Sequence, residues 1–204
     1  LPPMGRQRLR SCAMNFADIH THNVHAGHDA VICIEPDDAM PAGDNLHFSC
    51  GVHPWRSSEA EALWPMVVAR ATDPRVVAIG ECGIDRLRGA DVQLQTELFR
   101  SHALLAEEVG KPLIIHCVRG WAELLAVHRA VAPAVTWIVH GFRGAPALAR
   151  QLLDAGIHLS LGEHFRSDTA ACIPPDMLHF ETDTSTLPIE QIKTNITNQS
   201  YSQP

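Results

Sequence analysis

The sequence predicts an α/β protein, a (β/α)8 TIM-type barrel trimmed in its first connections, and three observations lead there. Eight short strand-like segments, most of them near-continuous apolar runs, recur along the 204 residues, as expected for parallel strands covered on both faces. Helical patterns separate the later segments, which implies right-handed crossovers and a parallel sheet. Histidines and carboxylates gather at the C-terminal ends of the strand-like segments, the rim where active sites of this architecture sit.

Taken in order, the expected strands span 15–19, 30–34, 46–52, 76–80, 112–116, 135–140, 157–161 and 178–181. The first two connections are too short for full helices. Helical patterns follow over 59–71, 92–109, 121–131 and 146–155, and Gly110 and Gly156 close two of them as C-caps. A last helix would come from 189–198, so the C-terminal helix is expected to be short. Total length is near the lower limit of ~200 residues for a barrel of this type. The domain reading is a disordered extension over 1–14, one barrel domain over 15–192, and a polar tail over 193–204.

Composition narrows the function classes. Net charge is −7, against a broad basic surface for gripping nucleic acid, although bound cations can reverse the sign locally. The six cysteines contain no CxxC pair, and several lie in apolar runs, where a thiol behaves as a small hydrophobe. They read as reduced thiols of a cytoplasmic protein. No apolar stretch approaches the ~20 residues of a membrane span, and no apolar core follows the basic N-terminal segment to make a signal peptide. Histidine stands out, with 13 copies.

The chemistry-bearing residues occur at strand ends. His20 and His22 follow the first segment, His53 the third, and Glu81 and Asp85 the fourth; His116 and His140 end the fifth and sixth, and Asp183 follows the eighth. The i, i+2 spacing of His20 and His22 points both rings to one side of an extended chain. Imidazoles and carboxylates in such a set bind divalent cations, and the two oxygens of Glu81 can each face a different ion. A pair of cations activates water and stabilises attacking and leaving oxygens, so hydrolysis is the reaction class. Each residue alone has a plainer reading: a hydrogen-bonded structural histidine, a helix N-cap at Asp183, a solvated turn at Glu81. Their shared position after strands outweighs those readings. His25, His28, His47, His102, His128, His158, His164 and His179 are left as structural or surface residues.

The motifs DIHTH, GVHPW, VVAIGECGID, KPLIIHCVRGW, WIVHGFRG and FETD, in that order, resemble the TatD family of metal-dependent hydrolases over about residues 15–192. The resemblance implies two divalent ions (Mg, Mn, Zn or Ni) held by His20, His22, Glu81, His116, His140 and Asp183, with Glu81 bridging. It implies Asp183, with Glu81, as the catalytic carboxylates, Asp183 acting on the attacking water. It places His53 and Arg119 near substrate, and Asp85 is grouped with them on the substrate side. The chain departs from the family in its short first connection and in the T-S-T-L that follows ETD. The expected function is a phosphodiesterase or deoxyribonuclease acting on DNA ends or short oligonucleotides. The alternatives are an amide, lactone or phosphomonoester hydrolase with a small, for instance phosphorylated, substrate, or an inactive binding protein.

Overall fold

Runs of β-branched and aliphatic residues build the strands, and the apolar stripes of the helices cover them. The structure, a computed structural model, describes residues 14–200. The strands are β1 Asp18–Thr21, β2 Ala30–Ile34, β3 His47–Cys50, β4 Val76–Asp85, β5 Leu113–Val118, β6 Trp137–Val139, β7 His158–Leu161 and β8 Leu178–Phe180. They form one parallel sheet in sequence order. A parallel bridge between Thr21 and Asp183 brings the two ends of the sheet together. There the His22 N–H donates to the Asp183 carbonyl (3.0 Å) and the Asp183 N–H to the His20 carbonyl (2.9 Å). The eight-stranded barrel expected from the sequence is the fold observed.

Helices α1 Ala60–Arg70, α2 Val92–Val109, α3 Trp121–Val131 and α4 Pro146–Asp154 pack on the outside. In α2, Asp91 caps the first turn by accepting from the Leu94 N–H, and Gly110 ends the helix in the left-handed conformation (φ 67°). Phe99, Ala103 and Ala106 recur at helical spacing and are buried against the sheet. Removing the Phe99 side chain from water stabilises the fold by roughly 1.5–3 kcal/mol.

The connections after β1 and β2 carry no helix, as expected. Loop residues Ala26, Met40 and Leu46 instead cover the outer cluster of Ile32, Ile34, Phe48, Cys50 and Val76. Arg56, in the 3-10 turn Pro54–Glu59, pins the second loop by a two-pronged pair with Asp37 (2.6 and 2.9 Å).

Four elements differ from expectation. β1 is displaced to Asp18–Thr21, and a register shift lies between those residues. β4 continues through GECGID to Asp85, so Glu81 and Asp85 stand in the strand, not after it. Glycine permits this: a Cβ at Gly80 would collide with the Ile114 carbonyl of β5, and one at Gly83 with that of His116. α5 Ser167–Ala170 is a short extra turn, and α6 Ile189–Ser200 makes helical much of the segment read as a polar tail, burying Ile192 and Ile196. Residues 1–13 of the expected extension, with Cys12, lie outside the described residues. Cys33, Cys50, Cys82, Cys117 and Cys172 are free. Among the described residues, no helix is long and apolar enough to cross a membrane.

Candidate metal centre

Inside the barrel, small apolar residues at the bottom (Val31, Ala78, Ile114) give way to polar ones toward the C-terminal mouth. Glu81 of β4 stands at the centre of that polar layer. Its Oε1 lies 2.8 Å from His140 Nε2, 2.9 Å from His116 Nδ1 and 3.1 Å from His53 Nε2. Its Oε2 lies 3.4 Å from His20 Nε2 and 3.6 Å from His22 Nε2. Asp183 Oδ1 faces the same two imidazoles at 3.8 and 3.6 Å. The six residues expected as ligands therefore meet around one carboxylate.

Two observations fit this cluster to cations. His20 is wholly buried, yet both its ring nitrogens lack a hydrogen-bond partner, a cost of about 1–3 kcal/mol per group if nothing else occupies them. The 3.4–3.8 Å separations around His20 and His22 are long for hydrogen bonds and close to those of donors sharing an ion: four ligands at ~2.0–2.2 Å in a tetrahedron stand roughly 3.3–3.6 Å apart. Without an ion, the cluster is held by charge. Burial alone would raise the Glu81 carboxyl, but the charge of His140 and hydrogen bonds from His116 and His140 hold it well below the ordinary range. Burial would lower His140, and Glu81 and Glu181 overcome it, keeping its pKa well above the usual value. Proximity to Glu81 raises His22.

A second layer of contacts aims these side chains. Glu181, fully buried, accepts from His140 Nδ1 (3.2 Å), leaving His140 Nε2 toward Glu81. Asp85 is buried; its Oδ2 accepts the Trp55 indole N–H (2.7 Å) and lies 3.2 Å from His116 Nε2. The Gln95 amide grips the backbone of Asp85 from α2, accepting its N–H (2.7 Å) and donating to its carbonyl (3.0 Å). Asp18 ties the two ligand strands together, accepting from the Thr182 N–H (3.1 Å) and hydroxyl (2.6 Å) and from the His20 N–H (3.3 Å). The Val52 N–H donates to His102 Nε2 (2.9 Å), anchoring the chain just before His53. Asp183 and Arg119 both hold left-handed backbone (φ 51° and 58°), a strain of order 1–3 kcal/mol apiece, and here it falls on two candidate site residues.

Arg119 is exposed and lines a cleft of about 390 Å³ with His116, His140, Asp183 and a second exposed arginine, Arg143. Of the residues expected on the substrate side, Arg119 thus faces open space. His53 instead touches Glu81, and Asp85 is occupied by Trp55 and His116. The sequence pattern does not single out Glu181, Arg143 or Cys33, whereas His102 is structural, as expected. Glu181 carried the clearest available signal, because it sits two residues before Asp183 and alternation aims both inward.

Residues 34–201 match the family model described as TatD related DNase. The chain belongs to the TatD family. Among curated relatives, it is 36% identical to an uncharacterized metal-dependent hydrolase TatD of Mycobacterium tuberculosis, over 68% of this chain and 58% of that protein. It is 31% identical to the 3'-5' ssDNA/RNA exonuclease TatD of Erwinia amylovora, over 66% of this chain and 56% of that one. The chain thus spans little more than half the length of these relatives. Two crystal structures share the fold: a TatD family hydrolase from Entamoeba histolytica (TM-score 0.68, 21% identity, 84% of this chain and 74% of that one) and the TatD homologue YjjV of Escherichia coli K12 (0.67, 18%, 93% and 97%). The family-model match begins after His20 and His22, and the structure brings both to Glu81 and Asp183.

Proposed function

We propose that this TatD-family chain is a metal-dependent phosphodiesterase acting on DNA ends or short oligonucleotides. The observation that carries the reading is the ring of imidazole and carboxylate donors around Glu81, with a buried, unpartnered His20 among them, opening onto a cleft edged by Arg119 and Arg143. His20, His22 and Asp183 would hold one divalent ion and His116 and His140 a second, with Glu81 between them. When bound, such ions lower the pKa of water and neutralise charge on the phosphate. Asp183, its side chain 30% exposed, would orient the attacking water and accept its proton. Arg119 would pair with phosphate oxygens through its planar fork. Asp85 and Glu181 act as positioning carboxylates for His116 and His140, and His53 helps fix Glu81.

The experiment is incubation of the protein, with manganese or magnesium occupancy verified, with end-labelled single-stranded DNA. Progressive shortening supports the proposal; intact DNA with every divalent ion contradicts it. A second reading, hydrolysis of a small phosphorylated substrate, draws on the cleft, whose 390 Å³ matches the size of small-molecule sites. Salt separates the two, since polymer binding weakens steeply as salt rises while a small substrate is less affected.

A further inference from the structure

We infer that Cys33 is a ligand of the ion nearest β1, giving that position a sulfur donor and a preference for zinc over magnesium or manganese. The inference rests on the metal-centre reading above and adds a residue to it.

The placement follows from the pleat of β2. Ile32 and Ile34 belong to the outer cluster under the loops, whereas Val31 packs inside the barrel with Ala78 and Ile114. Side chains alternate along a strand, so Cys33 shares the inner face with Val31, two residues nearer the C-terminal mouth. There its sulfur joins His20, His22 and Glu81: one donor atom from each of the four lies within 4.8 Å of all the others. It is the only group of four among the described residues; the other two, His20–His140–Asp183 and His53–Glu81–His116, have three members each. A second observation points to a ligand at the same spot. The imidazole of His20, wholly buried in that group of four, has no hydrogen-bond partner on either nitrogen.

Chemistry sets the consequence. Two imidazoles, carboxylate oxygens from Glu81 and Asp183 and a thiolate make a mixed nitrogen, oxygen and sulfur donor set of the kind zinc takes, and soft sulfur discriminates against hard magnesium and manganese. On coordination the thiol loses its proton to solvent, because the cation stabilises the thiolate. The second position, with His116, His140 and Glu81, has only nitrogen and oxygen donors and keeps a broader choice of ion. The two ions of the site would therefore differ in kind.

Cobalt(II) added to the full chain tests this in one spectrum. Visible d–d bands report binding, and a near-ultraviolet sulfur-to-cobalt charge-transfer band reports a thiolate ligand. The expected result is both features in the unmodified protein and in Cys117→Ser, with Cys33→Ser losing the charge-transfer band while keeping the visible bands. Visible bands without charge transfer in the unmodified protein would overturn the Cys33 assignment and leave the metal centre standing. So would a charge-transfer band that survives Cys33→Ser. Absence of both features would overturn the metal centre and the assignment together. Dialysis against equal zinc and manganese supplies a second readout: the unmodified protein should retain zinc, and Cys33→Ser should lose that preference.

Discussion

Acid should unfold this protein partly through one histidine outside the metal centre. His102 is wholly buried in α2, stacked edge-on to Trp64, with Nδ1 bonded to the Leu98 carbonyl (2.8 Å) and Nε2 accepting the Val52 N–H (2.9 Å). The ring is therefore neutral, and a second proton would have to displace the Val52 contact. Burial lowers its pKa from 6.5 to about 4, partly offset by the bond to Leu98. The unfolded chain binds this proton first, so the stabilisation is complete above pH 6.5 and is lost as pH falls toward 4. Integrated over that window, the difference is about 3 kcal/mol, a large share of an ordinary domain's stability. Urea unfolding of the unmodified protein and of His102→Gln, at intervals from pH 8 to pH 4, isolates the contribution, because the other titrating groups cancel between the two. The unmodified protein should lose about 3 kcal/mol more than the variant on acidification. Parallel pH profiles would refute the assignment of a neutral, buried His102.

Other consequences are equally direct. Asp183→Asn should preserve the fold and lower kcat at least tenfold, since an amide cannot accept the water's proton; circular dichroism and single-turnover kinetics check the two halves. Arg119→Ala should raise KM for a phosphate-bearing substrate more than it lowers kcat, measured by steady-state kinetics. Ile196→Ala, at a position of α6 with no exposed surface, should cost about 2–5 kcal/mol by urea unfolding and so test whether α6 seals the barrel wall.

The barrel was legible because parallel strands buried on both faces leave near-continuous apolar runs, and those runs survive in a single sequence. The candidate site was legible for a related reason: imidazoles and carboxylates at or near the C-terminal ends of strands converge once the strands are parallel, wherever they lie in the chain. What failed to show was position within the pleat. Gly80 reads as a strand end, yet here it lets β4 pass close to β5 and carry Glu81 inside the strand. Cys33 reads as one more small hydrophobe in AVICI, and only the sorting of Val31 inward and Ile32 outward reveals where its sulfur points. His102 sits among helical residues and gives no sign that its partner is the backbone beside His53. Asp85 follows a glycine and an isoleucine as a rim residue would, but the indole of Trp55, distant in sequence, occupies it. Each of these depends on a pairing between elements, which local pattern does not encode.

The central claim, that Glu81 organises a centre for two divalent ions, is tested most directly by zinc titration of the metal-stripped chain with calorimetry, alongside Glu81→Ala. Two ions should bind per chain, and the variant should lose both while staying folded. Failure of the unmodified protein to bind, or two-ion binding unchanged in Glu81→Ala, would contradict it.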